Sequence, residues 1–415
     1  STSVQCRQSA SSTNSPRTLS RTSMSVVIVG ASMGGLRAAE SLRRFGYTGP
    51  ITAIGEEPHP PYNRPPLSKE VLAAEVSLEA VAFPMRPATA DVTWMLGTKV
   101  IAADLDARTV ETASGEKISY EHLIIATGLR PKRLDYPNTP AQGRHVIRSL
   151  DDAIALRAAI KPGAKVVILG AGFIGCETGA TAIKLGAEVT IVGPGHLPIR
   201  RPLGEELASE VMRRHETMGT TFKLGQRVVD LLGDEAVTGV VLDDGTELAC
   251  DVFIEAIGSH TNVEWLEGND LDLSDGVLTN HQLNAVREDG EAHPNVWVIG
   301  DVARFPNPIF DDVPRRVEHW NIPTECAKFV GQSIAAKFGS GEAPETFRPI
   351  PSFWSDQFDM HILAFGLLGL ATEVKLIEGD ISGDCVFGYY RGDKMVGVAG
   401  IGLRSVVQSY RKVFE

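Results

Sequence analysis

Two glycine clusters in this 415-residue chain are spaced to hold a phosphate. One is Gly170-Ala171-Gly172-Phe173-Ile174-Gly175, preceded by an apolar run and followed by residues at helical spacing. In a strand–turn–helix of this kind the first glycine permits the tight turn and the second lets the backbone approach a pyrophosphate. The third lets helix and strand pack closely, and the helix N-terminus supplies free N–H groups and the positive end of its dipole. The other cluster, Gly30-Ala31-Ser32-Met33-Gly34-Gly35, repeats the plan with Ser32 in the middle position. Its side chain must point away from the phosphates or hydrogen-bond to them. Glu56, about twenty residues beyond Gly35, stands where a carboxylate accepts from ribose hydroxyls, against the plainer reading of a solvated loop acid.

Elements of definite kinds must position these residues. Ser25–Gly30 reads as a strand, Gly35–Phe45 as a helix stopped by Gly46, and Ile51–Ile54 as a second strand. The same order returns at Lys165–Gly170, Gly175–Leu185, Gly186 and Glu188–Val192. Two such units mean two dinucleotide sites. Further strands run into glycine turns: His122–Ala126 into Thr127-Gly128, Val252–Ile257 into Gly258, and Asn295–Ile299 into Gly300-Asp301. Between the units, Pro65 and Pro66 stiffen a loop in which Ser68 is placed to cap a helix through Val71 and Leu72. Beyond about Gly339 the runs Val386–Tyr390 and Met395–Ala399 predict a small third domain with antiparallel strands. The expected fold class is α/β, with two Rossmann-like dinucleotide-binding domains plus a smaller α+β C-terminal domain.

Composition bounds the function. The length calls for two or three domains. Hydrophobic residues at 43% and charged residues at 22% fit a soluble globular enzyme, and a net charge of −12 argues against a nucleic-acid partner. Cys6, Cys176, Cys250, Cys326 and Cys385 form no CxxC pair, which predicts no metal site and no disulfide framework and suits a reducing cytoplasm. No apolar run is long enough to span a membrane. Residues 1–23, Ser- and Arg-rich without a single acid, read as a leader or an added extension.

Several further motifs occur in order: Arg64-Pro65-Pro66-Leu67-Ser68-Lys69, Ala126-Thr127-Gly128, Gly300-Asp301-Val302-Ala303, Arg316-Val317-Glu318-His319-Trp320 and Phe353-Trp354-Ser355-Asp356-Gln357. With the two glycine clusters they resemble the FAD/NAD-linked reductase superfamily. Within it they are most similar to the ferredoxin reductases that serve bacterial Rieske oxygenases and cytochromes P450, the putidaredoxin-reductase-like group. The likeness runs from about Val26 to the C-terminus.

The resemblance implies an FAD-binding domain over 24–131 and 256–333, an NAD(P)H-binding domain over 132–255 and a C-terminal interface domain over 334–415. FAD would lie on Gly30, Ser32, Gly35, Glu56, Arg64, Lys69, Ala126, Thr127, Gly128 and Asp301. Glu318, His319, Trp320 and Trp354 would complete its surroundings, with Trp320 beside the isoalloxazine ring. NADH, or NADPH, would use Gly170, Gly172, Phe173, Ile174, Gly175, Glu177, Gly193, Arg201 and Gly258. Hydride would pass from nicotinamide C4 to flavin N5. Lys69, Glu177 and Trp320 are the residues implied in catalysis, Lys69 and Glu177 as an ion pair near N5 or else as an ordinary buried salt bridge. The helix after Trp320 would aim its positive end at the flavin N1–C2=O edge.

This sequence departs from the family pattern at Ser32, at Asn321-Ile322-Pro323 and at Gly193, where relatives usually carry an acid. Without that acid, NADH should be used with little discrimination against NADPH, since His196, Arg200 and Arg201 follow closely. Disulfide reductases of the superfamily pass electrons through a cysteine pair after the first glycine motif, and the corresponding stretch here has none. The implied acceptor is therefore a small [2Fe-2S] or similar ferredoxin, docked near Trp320 and the third domain, where Arg315, Arg316, Arg404, Arg411 and Lys412 either form a local basic patch or stand as scattered solvated charges. The alternatives are an NAD(P)H oxidase or quinone-type reductase, and an NADH-responsive protein resembling apoptosis-inducing factor. The oligomeric state is expected to be monomer or homodimer.

Overall fold

The computed structural model describes residues 25–415, so the leader read over residues 1–23 lies outside the described residues. Val26–Val29 is a run of β-branched residues buried on both sides, as a central parallel strand requires. It pairs in parallel with Ile51–Ile54 and His122–Ile125, Val26 standing opposite both Ile51 and His122. Thr93–Met95 and Ala292–Val298 extend the sheet in parallel, and Asn284–Val286 closes it antiparallel. The six strands thus come from two separated parts of the chain.

Between those parts lies a second parallel sheet of five strands, centred on Lys165–Leu169 and flanked by Glu188–Gly193 and Val252–Glu255. Both sheets carry their helix straight after the glycine turn: Met33–Arg44 in the first, Phe173–Lys184 in the second. Each helix begins two residues before the sequence expectation. The reason is steric, because Gly35 and Gly175 sit inside the first helical turn against the strand rather than ahead of it. Each helix ends as expected, at Gly46 (φ +97°) and Gly186 (φ +88°).

The chain enters and leaves the second unit through one ribbon, Leu129–Pro131 paired antiparallel with Ser259–Thr261. Thr127 Oγ1 donates to the Asn262 carbonyl at 2.7 Å and Asn262 Nδ2 donates to the Thr127 carbonyl at 2.9 Å, which fastens the two crossings together. The third unit is a five-stranded antiparallel sheet ordered Ser352–Gln357, Met360–Gly366, Lys394–Ile401, Cys385–Arg391, Glu373–Gly379. The short helix Arg404–Ser409 packs on it. The fold class read from the sequence is the one observed. Among the described residues, no helix is long and apolar enough to cross a membrane, and no cluster of His, Cys, Asp or Glu is arranged to hold a metal.

Candidate functional site

The two glycine turns are near copies. A Cβ on Gly30 (φ +121°) would lie 2.0 Å from the Ala126 carbonyl oxygen, and one on Gly170 (φ +117°) would lie 2.0 Å from that of Ala256. Gly35 and Gly175 press equally close, their Cβ positions 2.0 Å from the Gly30 and Gly170 carbonyl oxygens. No side chain fits at these four positions. Gly172 differs, with open space where its Cβ would be, which is the room a pyrophosphate needs against the helix N-terminus. Ser32 occupies the matching position in the first turn. Its backbone (φ −104°, ψ −154°) is extended like that of Gly172 (φ −85°, ψ −170°), so the serine adds no strain, and its hydroxyl makes no capping bond. Gly128 (φ +60°) and Gly258 (φ +89°) turn the chain after the matching strands.

Polar side chains converge beside the first turn. Arg64 donates to Glu57 at 2.8 Å, to the Tyr62 hydroxyl at 2.8 Å and to the Arg148 carbonyl at 3.1 Å. The Arg148 guanidinium lies 3.7 Å from Asp301 and 3.6 Å from the Cβ position of Gly128. Burial pushes the Asp301 carboxyl up, and Arg148 opposes that shift. Glu56 is exposed and 3.5 Å from Lys99. Glu318 is likewise exposed and pairs with Arg316 at 2.8 Å.

At the meeting of the three sheets, Lys69 and Glu177 form a buried pair, Nζ to Oε2 3.2 Å, with side chains 10% and 4% exposed. Burial pushes the Glu177 carboxyl up, while Lys69 and the hydroxyls of Ser355 and Ser68 pull it down. Ser68 is therefore no helix cap, since its hydroxyl donates to Glu177 at 2.7 Å and Lys69 precedes the short helix Glu70–Ala73 instead. Lys69 Nζ also lies 5.9 Å from the Trp354 ring centroid, and Trp354 meets Trp320 edge-on at 5.1 Å. Both tryptophans keep a large exposed edge, 36% and 40%. A second aromatic row runs from His319 to Phe353 at 5.0 Å and on to Phe173 at 5.1 Å. Burial lowers the His319 imidazole to about 4, and its Nδ1 has no partner. An orphaned buried nitrogen, joined through Phe353 to the helix that follows the open Gly172 cradle, fits a bound dinucleotide cofactor.

Other expected groupings do not form. Arg315 is taken by Asp311, Arg316 by Asp275 and Glu318, and Arg411 by Glu415, so most of the anticipated basic patch is neutralised by local acids. His196 and Arg200 both bind Glu205 at 3.0 Å. Arg201 and Ile174 are exposed. Glu57, Tyr62, Arg148 and Ser355 were not picked out by sequence. Glu57 and Tyr62 bond Arg64 within one loop but belong to no motif, while Arg148 and Ser355 find their partners, Asp301 and Glu177, far along the chain.

The model of the family described as pyridine nucleotide-disulphide oxidoreductase matches residues 24–324. The chain belongs to that family. As a pyridine nucleotide-disulphide oxidoreductase it is an FAD-dependent enzyme working with NAD(P)H. Among its relatives is the probable ferredoxin reductase CtmF of Castellaniella defragrans, 30% identical over 89% of this chain and 88% of that one. The ferredoxin reductase for the CYP199A2 system of Rhodopseudomonas palustris superposes with a TM-score of 0.86 at 31% identity, covering 94% of each chain. Putidaredoxin reductase in its covalent complex with putidaredoxin gives 0.86 at 27%, covering 94% of this chain and 92% of that one. Despite the family's name, Cys176, Cys250, Cys326 and Cys385 are buried and unpaired. The Cys176 thiol is pushed up by burial, which keeps it from acting as a thiolate.

Proposed function

We infer that this oxidoreductase takes hydride from NAD(P)H and hands electrons singly to a small ferredoxin, of the [2Fe-2S] or a similar type, that supplies an oxygenase or cytochrome P450. FAD, when bound, supplies the hydride acceptor and the change from a two-electron donor to one-electron transfers. The observation that carries the reading is the Lys69–Glu177 pair, set between the two cradles and walled by Trp354 and Trp320, with no cysteine pair beside it. The relatives named as ferredoxin reductases supply the acceptor class.

In this reading residues 24–131 and 256–333 bind FAD, 132–255 bind NAD(P)H and 334–415 form the interface domain. Gly30, Ser32 and Gly35 take the FAD pyrophosphate, and Arg64, Arg148 and Asp301 hold the polar part of the cofactor between the domains. Gly170, Gly172 and Gly175 take that of the nicotinamide dinucleotide. Lys69 and Glu177 fix the charge where the reacting rings meet, and Trp320 with Trp354 excludes water there while leaving an edge for electrons to depart. The protein works as a monomer or homodimer, and unpaired buried cysteines suit the cytoplasm.

The test is an anaerobic titration of the FAD-loaded protein. NADH should bleach the flavin, and an added [2Fe-2S] ferredoxin should restore its colour far faster than air does. Failure of NADH to bleach it, or reoxidation by oxygen as fast as by ferredoxin, would sink the assignment, the latter in favour of an oxidase.

A further inference from the structure

The Glu177 carboxylate, carried by the second unit, is contacted from both of the others. Ser68 Oγ reaches Oε2 at 2.7 Å, Lys69 Nζ reaches Oε2 at 3.2 Å, and Ser355 Oγ reaches Oε1 at 2.6 Å. Behind Ser355 the polar contacts continue through buried side chains: Gln357 Nε2 to Ser355 Oγ at 3.0 Å, Gln357 Oε1 to His215 Nε2 at 2.8 Å, and His215 Nδ1 to Thr220 Oγ1 at 3.2 Å. Their direction follows from proton counting. An ionised carboxylate only accepts, so the single Ser355 proton goes to Glu177 and Ser355 Oγ accepts the Gln357 amide. The Gln357 carbonyl then faces His215, whose Nε2–H must donate. Burial holds His215 below the ordinary histidine range, so its Nδ1 accepts from Thr220. Every bond points toward Glu177.

We propose that Ser355, oriented by Gln357 and His215, is a positioning residue that holds the Glu177 carboxylate ionised against Lys69. The third unit thereby governs a charge pair contributed by the other two. The proposal rests on the functional reading above, in which that pair lies against the reacting rings. The chain is not a proton exit: outward transfer would reverse every donor, including an amide that has no rotating hydroxyl to pass the proton on. Among the described residues, Lys69 is the charged group set against Glu177, and the neighbouring Cys176 thiol stays neutral. His215 is packed by the rings of Phe222 and Phe358 and meets no charged partner.

Infrared titration of the flavin-free protein reads the carboxyl directly, its protonated C=O band assigned by loss in Glu177→Gln. Ser355→Ala should move that titration up by about one pH unit, and Ser355→Thr, which keeps the hydroxyl, should leave it in place. Gln357→Glu, similar in shape, competes for the Ser355 proton and should shift it in the same direction. In the FAD-loaded protein, the acid limb of flavin reduction by NADH should move with the band. Coincident titrations of wild type and Ser355→Ala, or equal shifts in the Ala and Thr variants, would overturn the proposal. A band that shifts as expected in a protein whose flavin NADH does not reduce would uphold the relay and defeat the functional reading alone.

Discussion

Gly193 ends its strand with a hydrogen atom where a carboxylate could reach a ribose. A Cβ there would stand 3.4 Å from that of Ala171 and 3.7 Å from Leu224 Cδ2, ordinary contact that a glutamate tolerates. Wild-type kcat/KM for NADH should exceed that for NADPH by less than about tenfold, or about 1.4 kcal/mol. Gly193→Glu should raise the ratio by at least a similar factor, by accepting from the 2′-hydroxyl and repelling a 2′-phosphate. A wild-type preference of about a hundredfold (about 2.7 kcal/mol) would show that another residue reads the ribose, with Glu205 the first to examine because it ties up His196 and Arg200. At Asp301, removal of the carboxylate leaves Arg148 unpaired. Asp301→Ala should weaken FAD binding by about 1–3 kcal/mol, read by fluorescence titration, and unchanged affinity would remove Asp301 from the site. The glycines were legible because each obeys a local steric rule. Ser68 was misread as a cap because its partner, Glu177, lies on the helix Phe173–Lys184 of a different unit, and Arg148 was missed because no neighbour in sequence announces it.

The helix Asn321–Lys337 shows the same contrast between local and distant causes. Pro323 falls in its first turn, where an N–H has no intrahelical acceptor, so the departure from the family pattern is absorbed without a break. Farther along, Gly331 lies against the first glycine helix so closely that a Cβ would sit 2.6 Å from Ser41 Cβ and 2.9 Å from the Ser41 backbone. Gly331→Ala should force the two helices apart and lower stability by about 1–3 kcal/mol, measured by denaturant unfolding. Because both helices start at the site, FAD affinity should fall as well; an unchanged unfolding midpoint would mean that the contact yields easily. The parallel strands were legible as β-branched runs ending in glycine. Ser352–Gln357 was seen only as a motif, because its inward positions include the polar Ser355 and Gln357, which disguise the two-residue alternation of a half-buried strand.

Stability of the whole molecule should depend on buried neutral histidines. His122 is 4% exposed, accepts from Trp297 Nε1 at 3.1 Å, and is lowered by burial to about 4. The unfolded chain takes up a proton near pH 6.5 that the fold refuses until about 4. Stability contributed by this group is therefore present above the unfolded value and lost as the pH falls between those limits. His319 acts in the same window. The melting temperature should decline as pH drops from 7 toward 5, and His122→Gln, which can still accept from Trp297, should flatten that decline. A flat wild-type profile would exclude the effect.

The ribbon of Leu129–Pro131 and Ser259–Thr261 has a consequence for how such enzymes can be rebuilt. Entry and exit of the inserted unit stand side by side in hydrogen-bonded register, so that unit is in effect a cassette whose two ends already touch. Its counterpart from a relative with a different coenzyme preference could be spliced in at these strands without reshaping the host sheet. The transplant would have to keep a glutamate at position 177 and a threonine at 181. Thr181 Oγ1 donates to the Ser68 carbonyl at 2.7 Å, and those two side chains, with His215 bound to Gln357 and Arg148 set against Asp301, are among the contacts that bolt the insert to the remainder. Modularity here is limited less by the splice points than by a handful of polar contacts at the far face.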